Sequence, residues 1–200
     1  MADALEPRAS EHFMVDIFEV TQDDVDRVRL RDAFQGRMEY HGFTAGKYAR
    51  LSHRNPDGSR GATIMSDTWM EQQTNVEFCE QAKGDVLVGG LGLGMVLLAI
   101  QDKPEVRTIT VVEKEAEVIA LIKDQLPLNA TVTIVQGDIF TYKPDKAYNV
   151  IYCDIWDTIS GDNWPEMKKL HRRLRKWLKP KGYMASWRQE PCRIRHKEDV

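Results

Sequence analysis

A chain of 200 residues and 23.0 kDa corresponds to about one large domain, or a domain with an extension. Its 28 Lys+Arg against 31 Asp+Glu leave a formal charge of -3 and a pI near 6.0, which excludes a globally basic nucleic-acid coat. At 42% hydrophobic and 30% charged, the composition is that of a soluble globular protein rather than a disordered or membrane chain.

In chain order, the first twenty residues set Glu6, Arg8, Glu11, His12 and Asp16 among the apolar positions, which excludes a signal peptide. Phe13 to Thr21 alternates as a strand does, and Asp23 to Phe34 is charged in the manner of a short surface helix. KYARLSHR, NPDGSR and GATIMSD (47–67) read as two strands around an Asn-Pro-Asp-Gly turn, because Pro56 presets a turn φ and Gly58 accepts φ > 0. Thr68 to Ala82 then reads as one helix, capped by Asp67 or Thr68 and ended by Gly84.

From Asp85 onward strand and helix alternate. The expected strands are DVLVGG (85–90), RTITVVE (107–113), TVTIVQGD (131–138), YNVIYCDIW (148–156) and YMASW (183–187). Helices are expected after Gly94, over Ala116 to Gln125, and over Glu166 to Leu178, where Met167, Leu170, Leu174 and Trp177–Leu178 line one face. Lys179-Pro180-Lys181-Gly182 reads as a break before the last strand. Apolar strands separated by helices imply an α/β fold with a parallel sheet covered on both faces. The longest apolar run, 86–100, contains four glycines and is too short to span a bilayer, so no membrane partner is expected. Cys79, Cys153 and Cys192 lack the spacing of zinc ligands or of a redox pair, which points to a cytoplasmic setting and no metal.

The chemistry centres on VLVGGLGLGM, a strand that runs through Gly90, Gly92 and Gly94 into a helix. Glycine permits positive φ and close backbone approach, and helix N–H groups then face a ligand. Glu113 ends the next strand about twenty residues on, where a carboxylate can accept both hydroxyls of a ribose. A nicotinamide fingerprint places its third glycine one residue later, where Met95 stands, so the G-x-G-x-G spacing suits a nucleoside without a diphosphate.

Taken together, VLVGGLGLGM, VVEKEAEVI, QGDIF and YNVIYCDIWD resemble successive motifs of the Rossmann-like S-adenosylmethionine-dependent methyltransferases. Within that superfamily they look most like the spermidine synthase branch, as do the hairpin and helix of residues 47–82; the resemblance covers about residues 47–188. It implies a Rossmann-like sheet with order near 3-2-1-4-5 over residues 83–200, behind an N-terminal extension with hairpin and lead-in helix over residues 1–82. It implies S-adenosylmethionine as cofactor: Gly90, Gly92 and Gly94 along its methionine and ribose, Glu113 on the ribose hydroxyls, and Lys114 beside the adenine. Asp138 would accept from the adenine amino group while Ile139 offers its backbone N–H. Asp154 would orient or deprotonate the acceptor, and Asp157 would pair with it as an ammonium anchor. Trp156 and Trp164 flank TISGDN, a segment able to fold over the site.

Two features separate the chain from that branch. Leu93 stands where spermidine synthases carry an aspartate, which favours methyl transfer to a small amine or hydroxyl compound over aminopropyl transfer. After the fifth strand only Arg188 to Val200 remain, so the sheet is expected to be abbreviated, with an edge for the N-terminal strands or a second subunit of a homodimer to cover. A non-catalytic nucleoside-binding module stays open on the same ground. From Pro165 on, twelve Lys/Arg face four acids; the reading preferred here is the solvated face of a helix, with nucleic acid as the alternative partner.

Overall fold

Two sheets organise the chain, which is seen in a computed structural model that describes residues 3–34 and 44–198. The first is antiparallel: β1 (Arg8–Ala9), β2 (Phe13–Val20), then, after α1 (Gln22–Phe34), β3 (Gly46–Arg54) and β4 (Arg60–Ser66), in that spatial order. The β3–β4 connection is the expected turn, closed by the Gly58 N–H on the Asn55 carbonyl at 2.9 Å. β1 is too short to leave a trace in the sequence pattern.

Two short helices follow, α2 (Trp69–Thr74) and α3 (Val76–Gln81), where one continuous helix was expected. The break falls at Asn75, which is buried and carries φ -104 and ψ -4. Its side-chain amide donates to the Glu71 carbonyl at 3.0 Å and accepts the Tyr152 hydroxyl at 2.8 Å. An asparagine that offers its side chain to the backbone competes with the helix ladder.

The second sheet is parallel and Rossmann-like. Its elements are β5 (Gly84–Gly89), α4 (Met95–Ile100), β6 (Val106–Glu113), α5 (Ala116–Ile122), β7 (Val132–Gln136), β8 (Tyr148–Cys153), α6 (Asn163–Leu174), β9 (Leu178–Ser186) and α7 (Gln189–Glu198). The strand order β7-β6-β5-β8-β9 is the expected 3-2-1-4-5. Val86, Leu87 and Val88 of the central strand have no exposed surface, as a strand covered on both faces requires. On α6, Met167, Leu170 and Leu174 are fully buried and face the sheet.

β9 begins earlier than expected. Lys179, Pro180 and Lys181 belong to it as a bulged stretch, with Lys181 at φ 60 and the register against β8 shifting between Tyr148 and Val150. A bulge with two lysines and a proline deters strand addition, so this edge carries its own protection. The residues after it form α7 rather than more sheet.

The antiparallel sheet packs onto the parallel one in a shared core that joins Leu5, Phe13, Val15 and Leu51 to Leu91, Leu93, Val96 and Val118. Polar ties reinforce it: the His12 backbone N–H and ring Nδ1 bond the Glu117 carboxylate at 2.9 and 2.7 Å, and the Glu6 N–H bonds Gln125 Oε1 at 2.7 Å.

At the amino end of β5 the Asp85 carboxylate is 5% exposed and meets three cations, Arg107, Lys146 and Lys179. Thr108 donates to it at 2.9 Å and Lys179 at 2.8 Å. The Arg107 guanidinium, more than burial opposes it, holds this carboxyl well below the usual carboxylate range. The folded state therefore binds the proton less tightly than the unfolded chain, and the stabilisation is present at neutral pH and lost as pH falls below about 4. Asp85→Asn is expected to lower the urea-derived stability by about 2 to 3 kcal/mol at neutral pH, less than for a fully buried pair because water screens the cations. The difference from the parent should shrink in acid.

Candidate functional site

The site begins with strand register. Gly89 at the end of β5 lies beside Val112 of β6 and Cys153 of β8, and Glu113 lies beside Gln136 of β7. The carboxyl ends of four strands are therefore level, and the residues just past them share one crevice. The order reverses between β5 and β8, which is where ligands bind in open α/β sheets.

Gly90 and Gly92 shape the floor. At φ 95 and φ 50 both hold left-handed conformations. A side chain at Gly90 would run into the Asp154 carbonyl, and one at Gly92 into the Met65 thioether. The turn is thus wedged against the end of β8 on one side and against β4 on the other. The Leu93 N–H donates to Met65 Sδ at 3.1 Å.

Glu113, buried at 8% exposure, fixes this turn from the neighbouring strand. One carboxylate oxygen accepts the Leu91 N–H at 2.7 Å and the other accepts the Glu115 N–H at 2.8 Å. A carboxylate has about four lone-pair positions, so two remain for a ligand. Asp138 sits half-buried just past β7, with Oδ1 accepting the Phe140 N–H at 2.8 Å, and so caps a turn while it faces the crevice. Ile139 is buried, and Arg173 donates to its carbonyl at 3.0 Å.

A cavity of about 420 Å³ occupies this crevice. Gly90, Gly92, Glu113, Lys114, Asp138, Ile139, Asp154 and Asp157 all line it. Gly94 does not. It starts α4 in a left-handed conformation with Leu126 packed against it, so the third glycine serves the strand-to-helix turn. Trp156 lines the cavity and Trp164 stands apart from it, beneath the Lys168 ammonium at 5.6 Å. Leu93 is fully buried in the core, so a side chain at that position cannot reach the crevice.

The structure adds residues the sequence did not single out. The antiparallel sheet supplies Phe13, Leu51, His53, Ile64 and Met65 as one wall, and α6 supplies Glu166. Glu71 on α2 acts at a distance. Burial and then the Glu71 charge push the Asp154 carboxyl up to about 7, and Glu71 is itself raised by burial, which the Arg188 charge opposes. Only tertiary docking shows these partners; α2 and β8 are more than seventy residues apart in the chain.

No protein-family model matches the chain, and no curated protein matches it. Among solved structures the chain is similar to the DhpI-SAM-HEP complex, at 20% identity and a TM-score of 0.47, over 59% of this chain and 54% of that one. It is also similar to the glycopeptide N-methyltransferase MtfA complexed with (S)-adenosyl-L-methionine, at 21% identity and a TM-score of 0.44, over 56% and 48%. A third is the N-methyltransferase NodS from Bradyrhizobium japonicum WM9, at 15% identity and a TM-score of 0.46, over 58% and 66%. The chain spans about half the length of the first two. These are distant, partial likenesses, and the chemistry of the crevice rests on its own residues.

The elevated Asp154 carboxyl has a stability consequence. Above pH 4 the unfolded chain is ionised at this residue, whereas the folded chain stays protonated until about 7. Folding therefore loses stability as pH rises across that window and carries the full cost above it. Asp154→Asn is expected to raise Tm by several degrees at about pH 8 and by little at about pH 4. Thermal melts at the two pH values check this.

Proposed function

We propose that the crevice binds S-adenosylmethionine and that the chain transfers a methyl group from it to a small nucleophile. The observation that carries the reading is the position of Glu113: a buried carboxylate, fixed by two backbone N–H bonds at the mouth of the first two parallel strands, with lone pairs left for a ribose. The donor set fits the group. Among the described residues, six carboxylates (Glu113, Glu115, Asp138, Asp154, Asp157, Glu166) against Lys114 as the one lysine or arginine lining the cavity favour a cationic occupant.

In this reading Glu113 holds the ribose hydroxyls, Lys114 passes beside the adenine, and Asp138 with the Ile139 N–H reads its edge. Gly90 and Gly92 allow close backbone approach, and Gly94 keeps the turn that presents them. When bound, S-adenosylmethionine supplies an already activated methyl group, so the protein has chiefly to align the acceptor. Asp154 then takes the acceptor's proton; a carboxyl near neutrality is suited to that task, which also argues for an enzyme over a passive nucleoside-binding module. Asp157 faces the same space and anchors the acceptor. Aminopropyl transfer is the weaker reading because the position that would carry its carboxylate, Leu93, is sealed in the core.

Calorimetry with S-adenosylmethionine, S-adenosylhomocysteine and decarboxylated S-adenosylmethionine tests the assignment. The first two are expected to bind and the decarboxylated form to bind more weakly; preference for that form would turn the reading to aminopropyl transfer. Glu113→Gln is expected to weaken S-adenosylhomocysteine binding about 100-fold, since it removes charged acceptors for two hydroxyls. In turnover, the rate should rise with pH through about 7, and Asp154→Asn should abolish that limb.

A further inference from the structure

We propose that the acceptor is a primary amine on an apolar body, and that Glu166, aimed by Trp156, selects it over an alcohol. This rests on the methyl-transfer reading and adds to it the class of acceptor.

Beyond the strand ends the cavity has two unlike walls. One comes from the antiparallel sheet: Phe13, Leu51, Ile64 and Met65, with the His53 ring tilted against Phe13 at a centroid distance of 5.4 Å. None of these five side chains is a carboxylate. A hydrocarbon chain or ring laid against it gains about 25 cal/mol per Å² removed from water. The other wall is the loop after β8 and the first turn of α6, which bring Asp154, Trp156, Asp157 and Glu166 to the cavity. The two walls together suit a molecule that is apolar along its length and rich in N–H donors at one end.

Within the second wall, Trp156 Nε1 donates to Glu166 Oε2 at 3.3 Å. An indole N–H can only donate, so this bond orients the carboxylate without using its remaining lone pairs. A primary amine has two N–H groups. One can face Asp154 and the other Glu166. Asp154 first takes a proton from the arriving ammonium and so frees the nitrogen lone pair; as that pair forms the new carbon–nitrogen bond, the carbon–sulfur pair stays with the departing sulfur and the methylated ammonium leaves with the charge. Positive charge develops on nitrogen during that step, next to Asp157 and Glu166, and is stabilised there more than in the ground state. An alcohol offers one O–H. It also reaches the crevice uncharged, and so lacks the positive charge that Asp157 and the Trp156-held Glu166 attract in an amine.

The probes are 2-phenylethylamine and 2-phenylethanol, which share a body and differ at the end group. Each is titrated by calorimetry into the protein saturated with S-adenosylhomocysteine, and each is assayed for methylation. The amine is expected to bind at least about tenfold tighter. Glu166→Gln should bring the two ligands within about twofold of one another while the protein still binds S-adenosylhomocysteine. Trp156→Phe keeps a ring and removes the N–H, so it should raise KM for the amine with kcat largely preserved, as a positioning residue does. Equal binding of the two probes, an unchanged preference in Glu166→Gln, or no binding of either probe to the loaded protein overturns the inference. If S-adenosylhomocysteine itself does not bind, the parent reading fails and this one with it.

Discussion

One carboxylate sets the geometry on which the crevice depends. Glu113 ends β6, yet its two oxygens are bonded to the N–H groups of Leu91 in the glycine turn and Glu115 ahead of α5. The turn that leaves β5 is thereby tied sideways to the next strand, while Gly90 presses on the end of β8. Level strand ends become a cavity because this junction cannot drift. The same atoms that order the backbone are those the proposed ribose would meet, so in that reading cohesion and recognition share a residue.

Two aspartates at opposite ends of this sheet show how environment drives one side-chain type in opposite directions. Asp85, at the amino end, is ringed by Arg107, Lys146 and Lys179 and is held ionised far into acid. Asp154, at the carboxyl end, is pushed the other way by burial and by the Glu71 charge. The first stabilises the fold at neutral pH. The second burdens it, and a burden of this kind at the switch point of the sheet suits the proton acceptor proposed above.

The parallel sheet was legible in the sequence because its strands are covered on both faces and read as apolar runs, and the crossovers between them as amphipathic helices. The place of Gly90, Gly92, Glu113, Asp138 and Asp154 along the crevice was legible for the same reason: each lies at or just past a strand end, so locating the strand locates the residue. What escaped notice depends on contacts between distant segments. The break at Asn75 reflects a hydrogen bond to Tyr152, and the Lys179–Gly182 stretch is a bulged strand because its partner β8 accepts the shift. The wall built from Phe13 and Met65 exists only once the antiparallel sheet docks on the glycine turn. Gly94 looked like its two neighbours and differs only because Leu126 covers it.

The most direct measurement of the central claim is a crystal structure of the protein soaked with S-adenosylhomocysteine. The account predicts the sugar hydroxyls on the free lone pairs of Glu113, the base between Lys114 and Ile139, and the sulfur on the Asp154 side of the turn. Density for the ligand at any other place, with the crevice empty in the same crystal, would contradict it.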